Sequence, residues 1–379
     1  MMITTCKAAF LIAACSLLAK AWGASYPNNY VGDEACKSCH AEKVESYWKT
    51  AHHQTSRPAD KEAILGSFTD GRNVLQTGNP ELSFRMDSRA DGFYQTSIWA
   101  FPSSMYPRSE RFDVVVGSGR VGQTYLYWKK DHLFQLPVSY WVDLDAWINS
   151  PGYRDGVVNF DRPVPPRCLE CHFTYAETVG EPNQYRPVSL ITGISCERCH
   201  GPGLEHIKAR KRNQKVGGEI INPAKLPGDR QMEVCTQCHG GRRYPLTTPF
   251  SYLPGEPLDE YYRLDPAAAA ATVDVHGNQV GLLLMSRCYR SSSQLSCSTC
   301  HDVHKPQRDP ASFSVHCLQC HRVSACGEFR RLRDKIASAC IDCHMPVQES
   351  KLVFYNSKGK KSSALIRSHL IQIYNSRPQ

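Results

Sequence analysis

Beyond its first two dozen residues the chain has no apolar run long enough to cross a bilayer, so no membrane-spanning segment is expected in the mature protein. It has no long internal repeat and no disordered linker, which excludes a solenoid or a string of tethered modules. From about residue 166 onward it is also short of apolar side chains. Short helical pieces there are broken by Pro and Gly, with too little apolar bulk for an ordinary core. Something other than side chains has to fill that interior. What the chain has in abundance is cysteine, 18 residues, beside 15 histidines.

Fourteen of the cysteines fall in seven C-x-x-C-H motifs: Cys36/Cys39/His40, Cys168/Cys171/His172, Cys196/Cys199/His200, Cys235/Cys238/His239, Cys297/Cys300/His301, Cys317/Cys320/His321 and Cys340/Cys343/His344. In such a motif both thiols add across the vinyl groups of a haem, and the next histidine becomes the proximal ligand of its iron. Two intervening residues let both sulfurs reach one porphyrin edge. A random shuffle of this composition gives about 0.03 such motifs. Zinc knuckles also use C-x-x-C pairs, but zinc does not require a histidine directly after the second cysteine. Here that histidine follows in every case. Seven covalently attached haems c are expected, and they would supply the missing apolar bulk.

Residues 1–24 read as a secretory signal peptide, with Lys7, an apolar run at 8–19 and an A-x-A site at Ala19-Lys20-Ala21. Ile12-Ala13-Ala14-Cys15 also has the look of a lipoprotein signal, which would leave a lipid anchor on Cys15. The apolar run continues past Cys15, so simple secretion is preferred. The expected location is periplasmic or extracellular, where c-type haems are attached. The formal charge of +9 would suit a nucleic-acid partner, but it miscounts the loaded protein. Lys7 and Lys20 leave with the leader, and fourteen propionates against seven ferric cores bring the remainder to about zero. No nucleic-acid partner is expected. Lys208, Arg210, Lys211, Arg212 and Lys215 form a basic run, read as a solvated helix face near propionates in preference to a docking face.

The motifs are unevenly spread. After the first, about 127 residues pass before six follow between 168 and 344. Runs at 81–86 and 93–99 flank the turn-like D-S-R-A-D-G, and 112–116, 123–128 and 133–141 follow with glycine-rich or K-K-D-H breaks. Aromatic and β-branched runs so punctuated predict antiparallel hairpins. The expected fold is mainly α, a haem-packed cytochrome of short helices and loops, plus a small antiparallel β-rich insertion. Its parts would be the signal peptide (1–24), a first haem segment (25–64), the insertion (65–165) and a six-haem domain (166–379). The alanine run at 267–271 predicts a helical turn.

Eight histidines lie outside the motifs, nearly one per iron. His304 is three residues from His301, too close to pass around a porphyrin edge. His206 is six residues from His200, at most about 20 Å of chain, with Pro202 constraining the path. Both should ligate neighbouring haems. Distal ligation is assigned to His206, His276, His304, His316 and His369, and to His52 in preference to His53. His132, in the K-K-D-H turn, reads as a solvent-exposed loop residue. That leaves one iron open or with a different ligand. Cys288 and Cys326 lie outside every motif; a disulfide, a free buried thiol or a haem-adjacent sulfur are all open readings.

A-C-K-S-C-H with Y-W-K-T-A-H, S-C-E-R-C-H-G-P-G-L-E-H, S-C-S-T-C-H-D-V-H, C-I-D-C-H-M-P and the tail R-S-H-L-I-Q-I together resemble the multihaem c-type cytochromes of the cytochrome c-554 type. The resemblance covers about 30–56 and 165–372 and implies distal ligation by His52, His206, His304 and His369. The seven motifs exceed the four haems of the smaller members. The leading functional expectation is an exported carrier relaying electrons between redox-partner proteins, such as other cytochromes or a quinol-linked or terminal oxidoreductase. The alternatives are a multihaem oxidoreductase acting on a small nitrogen or sulfur compound at one open iron, and a subunit of an extracellular electron-conducting complex. No catalytic residue is marked by a motif.

Overall fold

The structure is a computed structural model and describes residues 29–100, 106–214, 220–265, 278–292, 295–357 and 360–374. The expected leader with Cys15, the basic Lys215, the alanine run and the candidate ligand His276 lie outside the described residues.

After helix α1 (Asp33–Tyr47) the chain forms eleven strands in succession: β1 (Ser56–Pro58), β2 (Val74–Gln76), β3 (Leu82–Arg89), β4 (Gly92–Trp99), β5 (Ser109–Arg111), β6 (Val114–Val116), β7 (Gly122–Lys129), β8 (His132–Gln135), β9 (Val138–Trp141), β10 (Ala146–Asn149) and β11 (Arg162–Pro163). Strands β2 to β5 pair in sequence order as one antiparallel sheet. The second sheet runs β1-β6-β7-β8-β11, with β9 on the other end of β7 and β10 on β9. The hairpin expected around D-S-R-A-D-G is β3–β4, in register from Leu82 opposite Trp99 to Arg89 opposite Gly92.

Period-two alternation decides what each strand buries. In β3, Leu82, Phe84 and Met86 point inward while Arg85 is exposed. They meet Val115, Tyr125, Tyr127, Phe112 and Trp147 in a core between the two sheets. Each such fully buried side chain contributes about 1.5–3 kcal/mol. The alternate residues of the larger sheet, Val114, Leu126 and Leu133, face the other way and pack on Leu169, Phe173, Tyr175 and Tyr185. The larger sheet is thus buried on both faces. Its second face is the floor on which the second and third motifs stand.

The remaining helices are short: α2 (Pro166–Glu170), α3 (Cys196–His200), α4 (Leu204–Lys211), α5 (Gly228–His239), α6 (Gln279–Met285), α7 (Arg287–Arg290), α8 (Cys297–Cys300), α9 (Ala311–Cys317), α10 (Phe329–Leu332) and α11 (Cys340–His344). Three antiparallel hairpins lie among them: β12 (Phe173–Tyr175) with β13 (Ile191–Thr192), β14 (Arg243–Pro245) with β15 (Tyr262–Leu264), and β16 (Val347–Ser357) with β17 (Lys360–Arg367). The expectation of a mainly α chain is therefore wrong: helix accounts for 31% and strand for 24%, in several antiparallel sheets. Strands of two or three residues carry no period to read, so β12 to β15 are invisible to pattern. In β16 and β17 lysines and serines interrupt the apolar positions, yet the pair is the longest hairpin among the described residues. It packs on β10, with Ala364 against Trp141 and Ile148.

Candidate haem centres

Every motif sits on one turn of helix or at its end. The two cysteines, three residues apart, then share one side, and the helix stops at the histidine. α1 departs from helical geometry at His40 (φ −122°, ψ 37°). α2 ends before Cys171, α3, α5 and α11 end on their histidines, and His301 is already extended after α8 (φ −114°, ψ 121°). Cys317 closes α9, and Cys320 and His321 follow in the next turn. Ser195 caps α3 by accepting from Glu197 N, and Ser296 with Thr299 forms a capping box on α8.

Three motif histidines are oriented through Nδ1: His172 by Thr55 Oγ1 at 3.0 Å, His200 by the Ile221 carbonyl at 2.7 Å and His344 by the Gln372 carbonyl at 2.9 Å. Anchoring Nδ1 leaves Nε2 for a metal. Burial holds the His172 and His239 imidazoles down to about 4, and pushes His301 down as well. Neutral rings of this kind are what iron ligation needs.

Three of the spare histidines face motif histidines of other segments. His304 lies 6.1 Å, ring centre to ring centre, from His200, tilted by 28°. His369 lies 6.1 Å from His301 at 23°. His52 lies 6.0 Å from His239 at 78°. These separations are too long for ring stacking in contact. With metal–nitrogen bonds of about 2.0–2.1 Å and a ring nitrogen about 1.1 Å from its centroid, two imidazoles on one iron stand about 6.3 Å apart. Spacings of this size leave room for a haem iron that the two histidines of each pair would hold. Among the described residues no three His, Cys, Asp or Glu side chains converge as a metal cage, which a zinc site would require.

His52 is seated by its carbonyl, which accepts from Ile194 N at 3.0 Å. Gly193 (φ 69°) makes room beside it, since a Cβ there would stand 2.2 Å from the His53 carbonyl oxygen. His53 turns elsewhere, with Nε2 3.3 Å from Asp33 Oδ2. His206 occupies the first turn of α4, and Glu197 fixes where that helix lies. Its buried carboxylate accepts from Val31 N, Gly32 N and Gly203 N at 2.8–2.9 Å, tying the start of α4 to the start of α1. His316 is on α9, which packs against α11. His132 opens β8 instead of lying in the turn, half-buried and 2.8 Å from Asp131.

The motifs also touch one another. Cys36 lies beside Cys196, Cys171 beside Cys238 and Cys235 beside Cys297. Burial drives the Cys317 thiol up to about 11, with Cys340, Cys300 and Cys288 close enough to raise it further. These contacts link the first motif to the third, and the second to the fourth, fifth, sixth and seventh; the hydrogen bond from Arg198 to the Glu170 carbonyl joins the two groups. Cys288 and Cys326 are both free, so no disulfide joins them. Cys288 lies beside Cys300 and Cys317, and Cys326 beside Cys343.

Sequence reasoning passed over Thr55, Glu170, Glu197 and Arg198. The last three stand at the variable positions of C-x-x-C-H, which pattern reading treats as spacers. A charged residue inside an attachment motif was the signal available.

A family model, cytochrome c554 and c-prime, matches residues 155–201. Among solved structures, the outer cell wall cytochrome OcwA is similar in fold, with TM-score 0.58, 18% identity, 91% of this chain covered and 80% of that one. No curated protein sequence matches. Both matches fall on cytochromes, and with the seven attachment motifs they support haem c as the prosthetic group. No helix among the described residues is long and apolar enough to cross a membrane.

Proposed function

We propose that this multihaem c-type cytochrome is an exported electron relay with seven haems, most of them bound by two histidines, passing electrons between redox-partner proteins. Haem c supplies one-electron chemistry at each iron. The chain's own part is to space the centres, fix their axial ligands and shield them. The observation that carries the reading is the set of three histidine pairs at 6.0–6.1 Å, each joining two distant motifs or segments. His304, His369 and His52 are assigned to the irons of His200, His301 and His239. His206, on a helix pinned to the start of α1, is assigned to the iron of His40. The continuous contact among motifs supports transfer along the set; a lone catalytic cofactor needs no such row. The leader in the sequence and the fold likeness to an outer cell wall cytochrome support export.

A second reading, an oxidoreductase acting on a small nitrogen or sulfur compound, has one observation in its favour. His53 turns its Nε2 to Asp33 and His132 opens a strand of the β insertion, so the irons of His40, His172, His321 and His344 have His206, His276 and His316 to share. One is left to other ligands or to substrate. A haem-to-protein ratio with EPR of the oxidised protein tests both readings. A ratio of seven with only low-spin signals supports the relay and removes the enzyme. A ratio well below seven overturns the assignment of the motifs.

A further inference from the structure

Arg198 occupies the second variable position of the third motif and is 3% exposed. Its Nη2 donates to the Glu170 carbonyl at 3.1 Å, and the Cys238 Sγ lies 3.7 Å from that same oxygen. Cys238 in turn contacts Cys171. One carbonyl thus gathers the attachment edges of the second, third and fourth motifs around a single guanidinium. Arg167 lies alongside, with Nη2 on the Gln237 carbonyl at 2.7 Å and Nη1 3.4 Å from Glu170 Oε2. Glu170, itself 1% exposed, is held by Phe250 N at 2.9 Å and by the Tyr262 hydroxyl. Two cations therefore share one carboxylate, and the Nε of both arginines is buried without a hydrogen-bond partner. A buried charge so lightly matched is costly and needs a reason.

A haem's own propionates cannot match it. They lie on the porphyrin edge opposite the two vinyl positions, so haems attached through the cysteines that converge here would carry their propionates away from Arg198. We infer that Arg198, with Arg167, makes the junction of the second, third and fourth motifs the place where the protein holds electrons. An electron from a reducing partner protein converts a ferric core of charge +1 to a neutral ferrous one. Beside a fixed positive charge in a medium of low dielectric, that change is favoured. The junction then has the highest potentials of the set, and Glu170 moderates them. This rests on the heptahaem reading above.

The test is a spectroelectrochemical titration of the haem-loaded full chain and of two variants, with haem content from intact mass. Arg198→Gln should lower the highest midpoints at least tenfold in the reduction equilibrium, which is 59 mV for one electron. Glu170→Gln keeps the acceptor for Phe250 N, removes the negative charge, and should raise the same midpoints. Opposite signs separate a charge effect from mere loss of packing. If Arg198→Gln does not fold, the upward shift in Glu170→Gln decides alone. Full loading with unmoved midpoints, or with both variants shifting the same way, overturns this inference only. A parent protein lacking haem at any of these three motifs overturns the heptahaem reading as well.

Discussion

Replacing His304 by alanine is expected to change the haem held at Cys196 and Cys199, and to spare the one at Cys297 and Cys300 beside which it sits in sequence. The His200 and His304 rings are 6.1 Å apart, within a few tenths of the spacing of about 6.3 Å that two bonds to one iron impose. The substitution removes one of two axial ligands from one iron in seven. About one-seventh of the low-spin EPR intensity should become high-spin. The thioethers do not depend on His304, so the haem count should not change. The ligand also ties residues about a hundred apart, and closing an isolated loop of that length is worth about 4.7 kcal/mol in the chain-entropy account. The ties at His52–His239 and His301–His369 each lead out of that loop and leave its length unchanged, so a loss of at most about 4.7 kcal/mol in thermal unfolding is expected. The decisive comparison uses a Cys196→Ser, Cys199→Ser background, which lacks the haem in question. There His304→Ala should add no high-spin signal. If the signal still appears, His304 serves another iron and the pairing is refuted.

Other outcomes follow from the same geometry. His52→Ala should produce one high-spin iron while His53→Ala leaves the haem spectrum unchanged, because His53 is engaged by Asp33; equal effects would break the assignment to His239. Leu126→Ala should cost about 2–5 kcal/mol and also perturb the spectrum of the His172 haem, since Leu126 packs with Phe173 and Leu169 beneath that motif. A stability loss with no spectral change would show that the sheet and the haem layer are independent. Asp161 is held below the usual carboxylate range first of all by its hydrogen bonds from Arg108. A depressed folded value stabilises above the unfolded one, near 3.9, and the gain disappears as pH falls through the folded value. Asp161→Asn should remove that part of the acid dependence of the melting temperature, by less than about 1 kcal/mol because the pair is exposed. An acid limb as steep as the parent's would contradict it.

The parts legible in the sequence are those with a period or a fixed spacing. C-x-x-C-H is a local chemical pattern, and alternation along β3 with aromatic and β-branched runs in β4 and β7 announces a sheet. What the sequence hides is long-range. That Leu126 and Tyr125 serve two different cores follows from the sheet's position between the smaller sheet and the motifs, which no window of sequence contains. His304 could be excluded from its own haem by chain length, but its approach to His200 depends on how two distant loops fold. Glu197 illustrates the same limit. As the residue after a cysteine it reads as filler, yet its three backbone partners place α1 and α4 side by side.

The larger sheet has a consequence for traffic. Its one face lies under the motifs, and its other is covered by a second sheet, about 10 Å away as packed sheets are. An electron crossing this flank would have to pass both sheets and the core between them. A redox partner on the β side would face a longer path to the haems than one approaching α1, where Cys39 and His40 are exposed. The β layers give the row of haems a back, and so limit the directions from which it can be wired.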